Sequence, residues 1–407
     1  MFRPRIHLII ALALWLTSLG GIAEPKTVLV HYMPWFSSKE VSGHWGWHWT
    51  MGTRNPDKID AQGKREIASH DYPLIGPYDS GDPDLLEYHC LLMKMSGVDG
   101  VIIDWYGTDP FRDYGVLHKN TLSLIKSLKK AGLKYAFCYE DQSVKHMIAG
   151  KFIPPDQGIA QGKKVMGWLD KHAFSDPTYL DHDDRPLLLV FGPQHFKPAD
   201  WKKITQGMAN SPSILTLPHL YDSSFASGAF SWPPVTGNKT ISVKKWKEYL
   251  LDTKKRHADS LYLPVAFPGF LDYYEQAGLH PSYGYLDDRN GKTLKESLNL
   301  AWAEEFPVIQ VATWNDFGEG TAVEPSNKHG FSRLETIRNQ VHASMPERRV
   351  AKKDEFPLAL RLYRLRKERL PPERGKNLEQ ASLFLIKGEY EQAKALLEKS
   401  AEEERTD

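Results

Sequence analysis

Phe306-Pro-Val-Ile-Gln-Val-Ala-Thr-Trp-Asn-Asp-Phe-Gly-Glu-Gly-Thr321 is the stretch around which the chain is organised. Its opening run, Phe306 to Ala312, is short, apolar and rich in β-branched side chains, the composition of a buried strand. Polar residues begin where that strand stops. Asp316 and Glu319 stand three residues apart, and the glycines at 318 and 320 let the backbone turn sharply enough for both carboxylates to face one small volume. The plainer reading of the same letters is an Asn-Asp-Gly turn that closes a strand.

Outward from this strand the pattern repeats. Apolar runs over 27–32, 99–104, 134–140, 185–191, 214–217, 229–232 and 261–267 precede it. A helix opening at Asp82 and helical stretches over 117–131, 161–172, 198–208, 243–258 and 294–304 separate many of them. Eight strands alternating with helical or loop crossovers over about 320 residues predict the α/β class, with a parallel sheet closed into a (β/α)8 TIM barrel. An open doubly wound sheet is the alternative. No Gly-rich phosphate fingerprint follows the first strand, which counts against it.

In a barrel of this kind the chemistry sits at the carboxyl ends of the strands. Tyr32 and Trp35, Asp104 and Trp105, Glu140, Trp232 and Asn315 fall there together with Asp316 and Glu319. Ala136, Cys138 and Glu140 share one face of their strand, and small residues leading to Glu140 point it inward at the barrel mouth. Asp104 reads equally as a substrate contact or a structural hydrogen-bond hub. Cleavage of a glycosidic bond needs one carboxyl that protonates the leaving oxygen and a second that supplies charge or takes a proton. Asp316 and Glu319 supply that minimum.

Composition limits the partners. With 407 residues the chain holds one large barrel and an appendage, and a formal net charge of +1 gives no argument for nucleic acid or an anionic membrane. Twelve Trp and eighteen Tyr suit stacking on sugar rings, although large cores use them too. Two cysteines, Cys90 and Cys138, exclude a cysteine metal site; a bridge and a pair of buried thiols both remain open. His44 and His48 would need a helix to share a metal, which Gly43 and Gly46 oppose, and no third ligand is evident. Neither metal nor cofactor is expected. The long connection from the first strand to about residue 82 is too aromatic to be disordered and is expected to cover a site, with Trp45, Trp47 and Trp49 alternating as in an extended segment.

The ends carry their own expectations. Residues 1–23 combine positive charge, a short apolar core and small residues before Glu24, the pattern of a signal peptide cleaved near Ala23 and of a secreted or periplasmic protein. That apolar run is too short to span a bilayer, and no later one suffices. The barrel is assigned to 24–349 and a helical extension to 350–407: a basic helix broken at Pro371-Pro372, then two helices around Lys387-Gly388 in a tetratricopeptide-like hairpin. One such hairpin cannot bury its own stripe of Ala381, Leu385, Tyr390, Ala393, Leu396 and Leu397, so the stripe must pack on the barrel or on a protein partner. The last residues, 402–407, are expected to fray.

With these residues in view, Tyr72-Pro-Leu-Ile-Gly-Pro-Tyr78-Asp-Ser-Gly-Asp82-Pro83 is similar to the Tyr-Pro-x-x-Gly-Pro-Tyr-x-Ser-x-Asp-Pro segment of glycoside hydrolase family 99, the endo-α-mannosidases and endo-α-mannanases. Tyr32-Met-Pro-Trp35-Phe36, Trp105-Tyr106 and Glu140 resemble that family's first three strand ends. The resemblance spans roughly residues 27 to 325 and implies a (β/α)8 barrel that cleaves an α-linked glycan with retention. It also implies catalysis by Asp316 and Glu319, and substrate contacts that include Tyr78 and Asn315. Glu319 matches the family's general acid. The carboxylate matching Asp316 takes the proton of the sugar's own 2-hydroxyl. The chain departs from the family in one place, having Asn315-Asp-Phe-Gly-Glu-Gly-Thr321 where the family has Asn-Glu-Trp-His-Glu-Gly-Thr. That form, with Phe230-Ser-Trp232, resembles the α-1,3-glucanases of family 71. The sugar therefore stays open, and so does a non-catalytic, glycan-binding barrel.

Overall fold

The computed structural model describes residues 25–368 and 372–402. The expected signal segment, Pro371 of the expected helix break and the residues from 403 onward lie outside the described residues. Among the described residues no helix is long and apolar enough to cross a membrane.

Strands form where the apolar runs predict them: Thr27–Tyr32, Gly100–Trp105, Lys134–Tyr139, Arg185–Val190, Ser213–Thr216, Gly228–Phe230, Leu261–Leu263 with Val265–Ala266, and Val308–Val311. They follow one another around a parallel sheet in chain order. The seventh strand is interrupted at Pro264, which has no N–H to give a ladder. Leu261–Leu263 pairs with the sixth strand, Gly228 opposite Leu261, while Val265–Ala266 pairs with the eighth, Gln310 opposite Val265. The eighth strand then pairs with the first, Val308 opposite Thr27. One broken strand thus closes a (β/α)8 barrel.

Helices cover the outside. Pro83–Ser96 shows why its ends fall where they do: the Asp82 side chain accepts from the Asp84 N–H at 3.0 Å, proline takes the first helical position, and Gly97 ends the helix in the left-handed region at φ 81°. Tyr114–Ala131, Gly158–His172, Pro198–Thr205, Val243–Arg256, Lys292–Trp302 and Ser332–Ser344 complete the layer. From the connection 33–82, Met33, Trp35, Trp47, His48 and Met51 reach the barrel mouth. Trp47–Thr50 is a single helical turn there, not the extended segment expected from alternating tryptophans. The turn sends Trp47 outward, 46% exposed, and buries Trp49 beneath it.

The C-terminal segment folds as Pro357–Lys367, Pro372–Lys387 and Tyr390–Glu402. Leu378, Ala381, Leu385, Ala393 and Leu397 join the same apolar core as the barrel, so the hairpin's stripe is covered within the chain. Charge fastens the same seam. Arg366 bridges Glu87 and Glu379, both at 2.9 Å, and Lys367 bridges Asp82 at 2.6 Å and Asp84 at 2.9 Å. Cys90 and Cys138 are both free and buried.

Candidate active site

At the carboxyl ends of the strands the lumen opens into a cavity of about 370 Å³. Four carboxyl groups face it: Asp104, Glu140, Asp316 and Glu319. Strand alternation places the first two. Asp104 points into the lumen while Trp105 points out, and Cys138 and Glu140 follow each other up the inner face of the third strand. At the floor, His31 Nε2 meets Gln310 Oε1 at 2.6 Å, and the Gln310 amide donates to the Ser231 carbonyl at 2.6 Å. Burial pushes the His31 imidazole down to about 3, so it is a neutral floor group. Trp232 stands edge-on to that ring, with centroids 4.8 Å apart.

Asp316 and Glu319 sit on a loop that is closed on itself. Thr313 and Thr321 pair through backbone, at 3.1 Å, and through their hydroxyls, at 2.9 Å. The Asp316 N–H donates to the Thr313 hydroxyl at 2.8 Å, and the Glu319 N–H donates to Asp316 Oδ1 at 2.9 Å. Burial pushes the Asp316 carboxyl up to about 7 against the pull of the backbone N–H groups of Glu319 and Gly318. Burial, then the charges of Asp316 and Asp272, holds Glu319 well above the carboxylate range, opposed by the Tyr274 hydroxyl 3.4 Å away. Asp104 is likewise raised well above its ordinary value by burial and by Glu140. Glu140 is pushed up to about 7 by burial, against a hydrogen bond from the Gln142 amide. The loop therefore holds two raised carboxyls three residues apart, Asp316 near 7 and Glu319 well above its ordinary value, the arrangement that acid–base chemistry near neutral pH requires.

Trp35 and Trp232 line the cavity, Trp35 stacked flat on His48 with centroids 4.0 Å apart. Tyr32, Tyr78, Trp105 and Asn315, expected as substrate contacts, do not line it. Tyr32 and Trp105 have the outward parity of their strands and are fully buried, Tyr32 against His89 and Trp105 against Phe137 and Trp168. Asn315 and Tyr78 are buried behind the loop. The segment carrying Tyr78 is a latch for the covering loop: Asp79 accepts the Ser38 N–H at 2.8 Å, the Ser80 hydroxyl accepts the Phe36 N–H at 3.1 Å, and Asp82 caps the helix.

Other lining residues were not anticipated. His31 and Tyr106 are one position away from expected ones, and extending the parity of Cys138 and Glu140 to neighbouring strands would have found them. Tyr274 and Tyr283 come from the loop between the short antiparallel strands Phe270–Leu271 and Tyr285–Leu286. Asp272 anchors that loop, its carboxylate accepting the Tyr283 N–H at 2.7 Å and the Ser282 hydroxyl at 3.1 Å. No local pattern marks these three. Among the described residues no cluster of three or more metal-ligating side chains occurs; His48 instead faces Asp113 at 3.5 Å.

A parallel (β/α)8 barrel with an acid–base carboxyl pair at its strand ends is the apparatus of a glycoside hydrolase. The family is also shown: the model for glycosyl hydrolase family 99 matches residues 25–343, and the chain belongs to that family. Membership removes the ground for a non-catalytic barrel. The chain is similar to the glycoprotein endo-alpha-1,2-mannosidase of Rattus norvegicus, 22% identical over 336 residues, covering 74% of this chain and 68% of the relative. Its counterpart from Mus musculus is 22% identical over 333 residues with the same coverage. Among solved structures, a GH99 endo-alpha-mannosidase from Bacteroides thetaiotaomicron superposes with a TM-score of 0.55 at 19% identity, over 82% of this chain and 98% of that one. A further structure of such an enzyme, in complex with BIS-TRIS-propane, gives 0.58 at 18% identity over 79% and 98%.

Proposed function

We propose that this enzyme is an endo-acting glycosidase that cleaves α-mannoside linkages with net retention. The observation that carries the reading is the loop that presents Asp316 and Glu319 to one cavity with unequal proton affinities. The names of the relatives support the choice of mannoside. In the first step ionised Asp316 takes the proton of the sugar's 2-hydroxyl, and that oxygen bonds to the anomeric carbon. The anomeric bond to the leaving oxygen breaks, and Glu319 gives that oxygen its proton. In the second step Glu319 takes a proton from water and the water oxygen bonds to the anomeric carbon; the bond from that carbon to the sugar's 2-oxygen breaks, and Asp316 returns its proton to the 2-oxygen. Two displacements at one carbon retain its configuration.

Asp316→Asn and Glu319→Gln should each lower kcat by at least about a hundredfold with binding largely kept. A substrate with a good leaving group should partly rescue Glu319→Gln and leave Asp316→Asn inactive. Near wild-type turnover by both variants would place the chemistry elsewhere.

A second reading, an α-1,3-glucanase, is favoured by the aspartate itself. Its carboxylate is set back by one carbon–carbon bond, about 1.5 Å, from that of a glutamate. Product sizes from α-mannan, α-1,3-glucan and α-1,6-linked yeast glycan separate the two readings. Export with removal of residues 1–23 is part of the proposal, supported by the charged start and short apolar core of the sequence. Mass spectrometry of exported protein that still carries Met1 would exclude signal cleavage.

A further inference from the structure

Behind the catalytic loop, on the side away from the cavity, lies a polar cluster that joins four segments of the chain. Glu324 and His89 are buried there with Oε1 and Nε2 3.3 Å apart. The Tyr78 hydroxyl donates to the other Glu324 oxygen at 2.7 Å, and the Tyr32 hydroxyl meets His89 Nδ1 at 2.9 Å. The Asn315 amide nitrogen donates to the Tyr78 hydroxyl at 3.1 Å. Asn315 also clasps the backbone of Met33, accepting from its N–H at 2.8 Å and donating to its carbonyl at 3.0 Å. None of these five side chains lines the cavity. The next residue along the chain is Asp316.

Close-packed apolar residues would hold the same segments together without the penalty of burying a carboxylate. Hydrogen bonds add direction. Asn315 can satisfy Met33 and Tyr78 together from only one place, and that place fixes the α-carbon of its neighbour. Asp316 makes the constraint matter more, because an aspartate has one side-chain torsion fewer than a glutamate and cannot reach around a displaced backbone. We propose that Glu324, acting through Tyr78 and Asn315 and held on its far side by His89, is a positioning residue that sets where the Asp316 carboxylate stands beside Glu319. The inference rests on reading Asp316 and Glu319 as the catalytic pair.

The test uses full-length enzyme and yeast α-mannan, or whichever of the three glycans the wild type cleaves. Glu324→Gln keeps the shape of the side chain, and Tyr78→Phe removes only the hydroxyl. A misplacement of 1 Å can cost on the order of a hundredfold in rate. Each variant should therefore lose about tenfold or more in kcat with KM changed less than about twofold. A cluster that serves packing alone would lower the melting temperature and leave kcat per folded molecule unchanged.

Asp316→Glu completes a double-mutant cycle. In the wild-type frame the longer arm overshoots and activity falls. In the loosened frame of Glu324→Gln its extra torsion recovers part of the reach, so the double variant loses less than the product of the single losses. Multiplicative losses, or an unchanged kcat in folded Tyr78→Phe, overturn the proposal. Should Glu324→Gln fail to fold, Tyr78→Phe takes its place in the cycle. An active Asp316→Asn defeats the catalytic reading itself, whereas an inactive Asp316→Asn beside a fully active Tyr78→Phe defeats only the positioning role.

Discussion

Glu319 and Asp316 are chemically similar side chains, and their surroundings act on them differently. Burial raises both, and Glu319 further carries the charge of Asp316 beside it. The sign for activity follows. With the proposed roles, the rate should rise with pH as Asp316 ionises, with a midpoint near 7, and fall once Glu319 loses its proton at higher pH. A profile of kcat/KM with an acid limb near pH 4 would contradict this. Asp272 raises both carboxyls, so Asp272→Asn should move both limbs to lower pH, read from the same profile. The carboxyl pair was legible in the sequence because two acids and two glycines close one strand. Tyr32 and Trp105 were misjudged for a different reason: strand ends are visible in sequence, but which parity faces the lumen is settled only when neighbouring strands come into register.

Among the elements, the barrel strands were readable as apolar runs between polar stretches, although the run over 261–267, read as one strand, is broken at Pro264. The loop carrying Asp272, Tyr274 and Tyr283 was not readable, since its place at the mouth depends on a two-residue antiparallel pairing, Phe270 opposite Leu286, that leaves no local signature. The C-terminal hairpin was readable as helices with an apolar docking stripe; what the stripe packs on, the barrel or a partner, was not. Five buried side chains of that hairpin share the barrel's core, and burying a large apolar side chain contributes roughly 1.5–3 kcal/mol. Deleting residues 376–407 should therefore lower the melting temperature and the solubility. The folded fraction should keep most of its kcat, because none of these residues lines the cavity. Loss of turnover in a truncated protein that still melts cooperatively would show that the hairpin reaches the site.

For the whole molecule, the site is a source of instability that varies with pH. Asp316 ordinarily titrates near 3.8 but near 7 when folded, so from about pH 4 to 7 the unfolded chain releases this proton while the native chain keeps it. Stability from this group is full below its unfolded value and is lost as pH rises through the folded one. His31, held neutral down to about 3, contributes in the opposite sense over an overlapping range, so the clean observable is a difference between proteins. Asp316→Asn should melt close to wild type at pH 4 and above it at pH 8. An equal gap at both pH values would mean that the carboxyl is not held up in the native state. The sulfur chemistry of the fold has a separate use. Both cysteines are protonated thiols shut away from solvent, Cys90 pushed up to about 12 by burial and Cys138 raised well above the ordinary thiol value by burial and the charges of Asp104 and Glu140. An alkylating reagent attacks thiolate, so at pH 8 labelling must wait for the chain to open. The protein thus contains a two-channel clock, Cys138 timing the lumen and Cys90 timing the seam where the hairpin docks, and a glycan seated in the cavity should slow the first without touching the second.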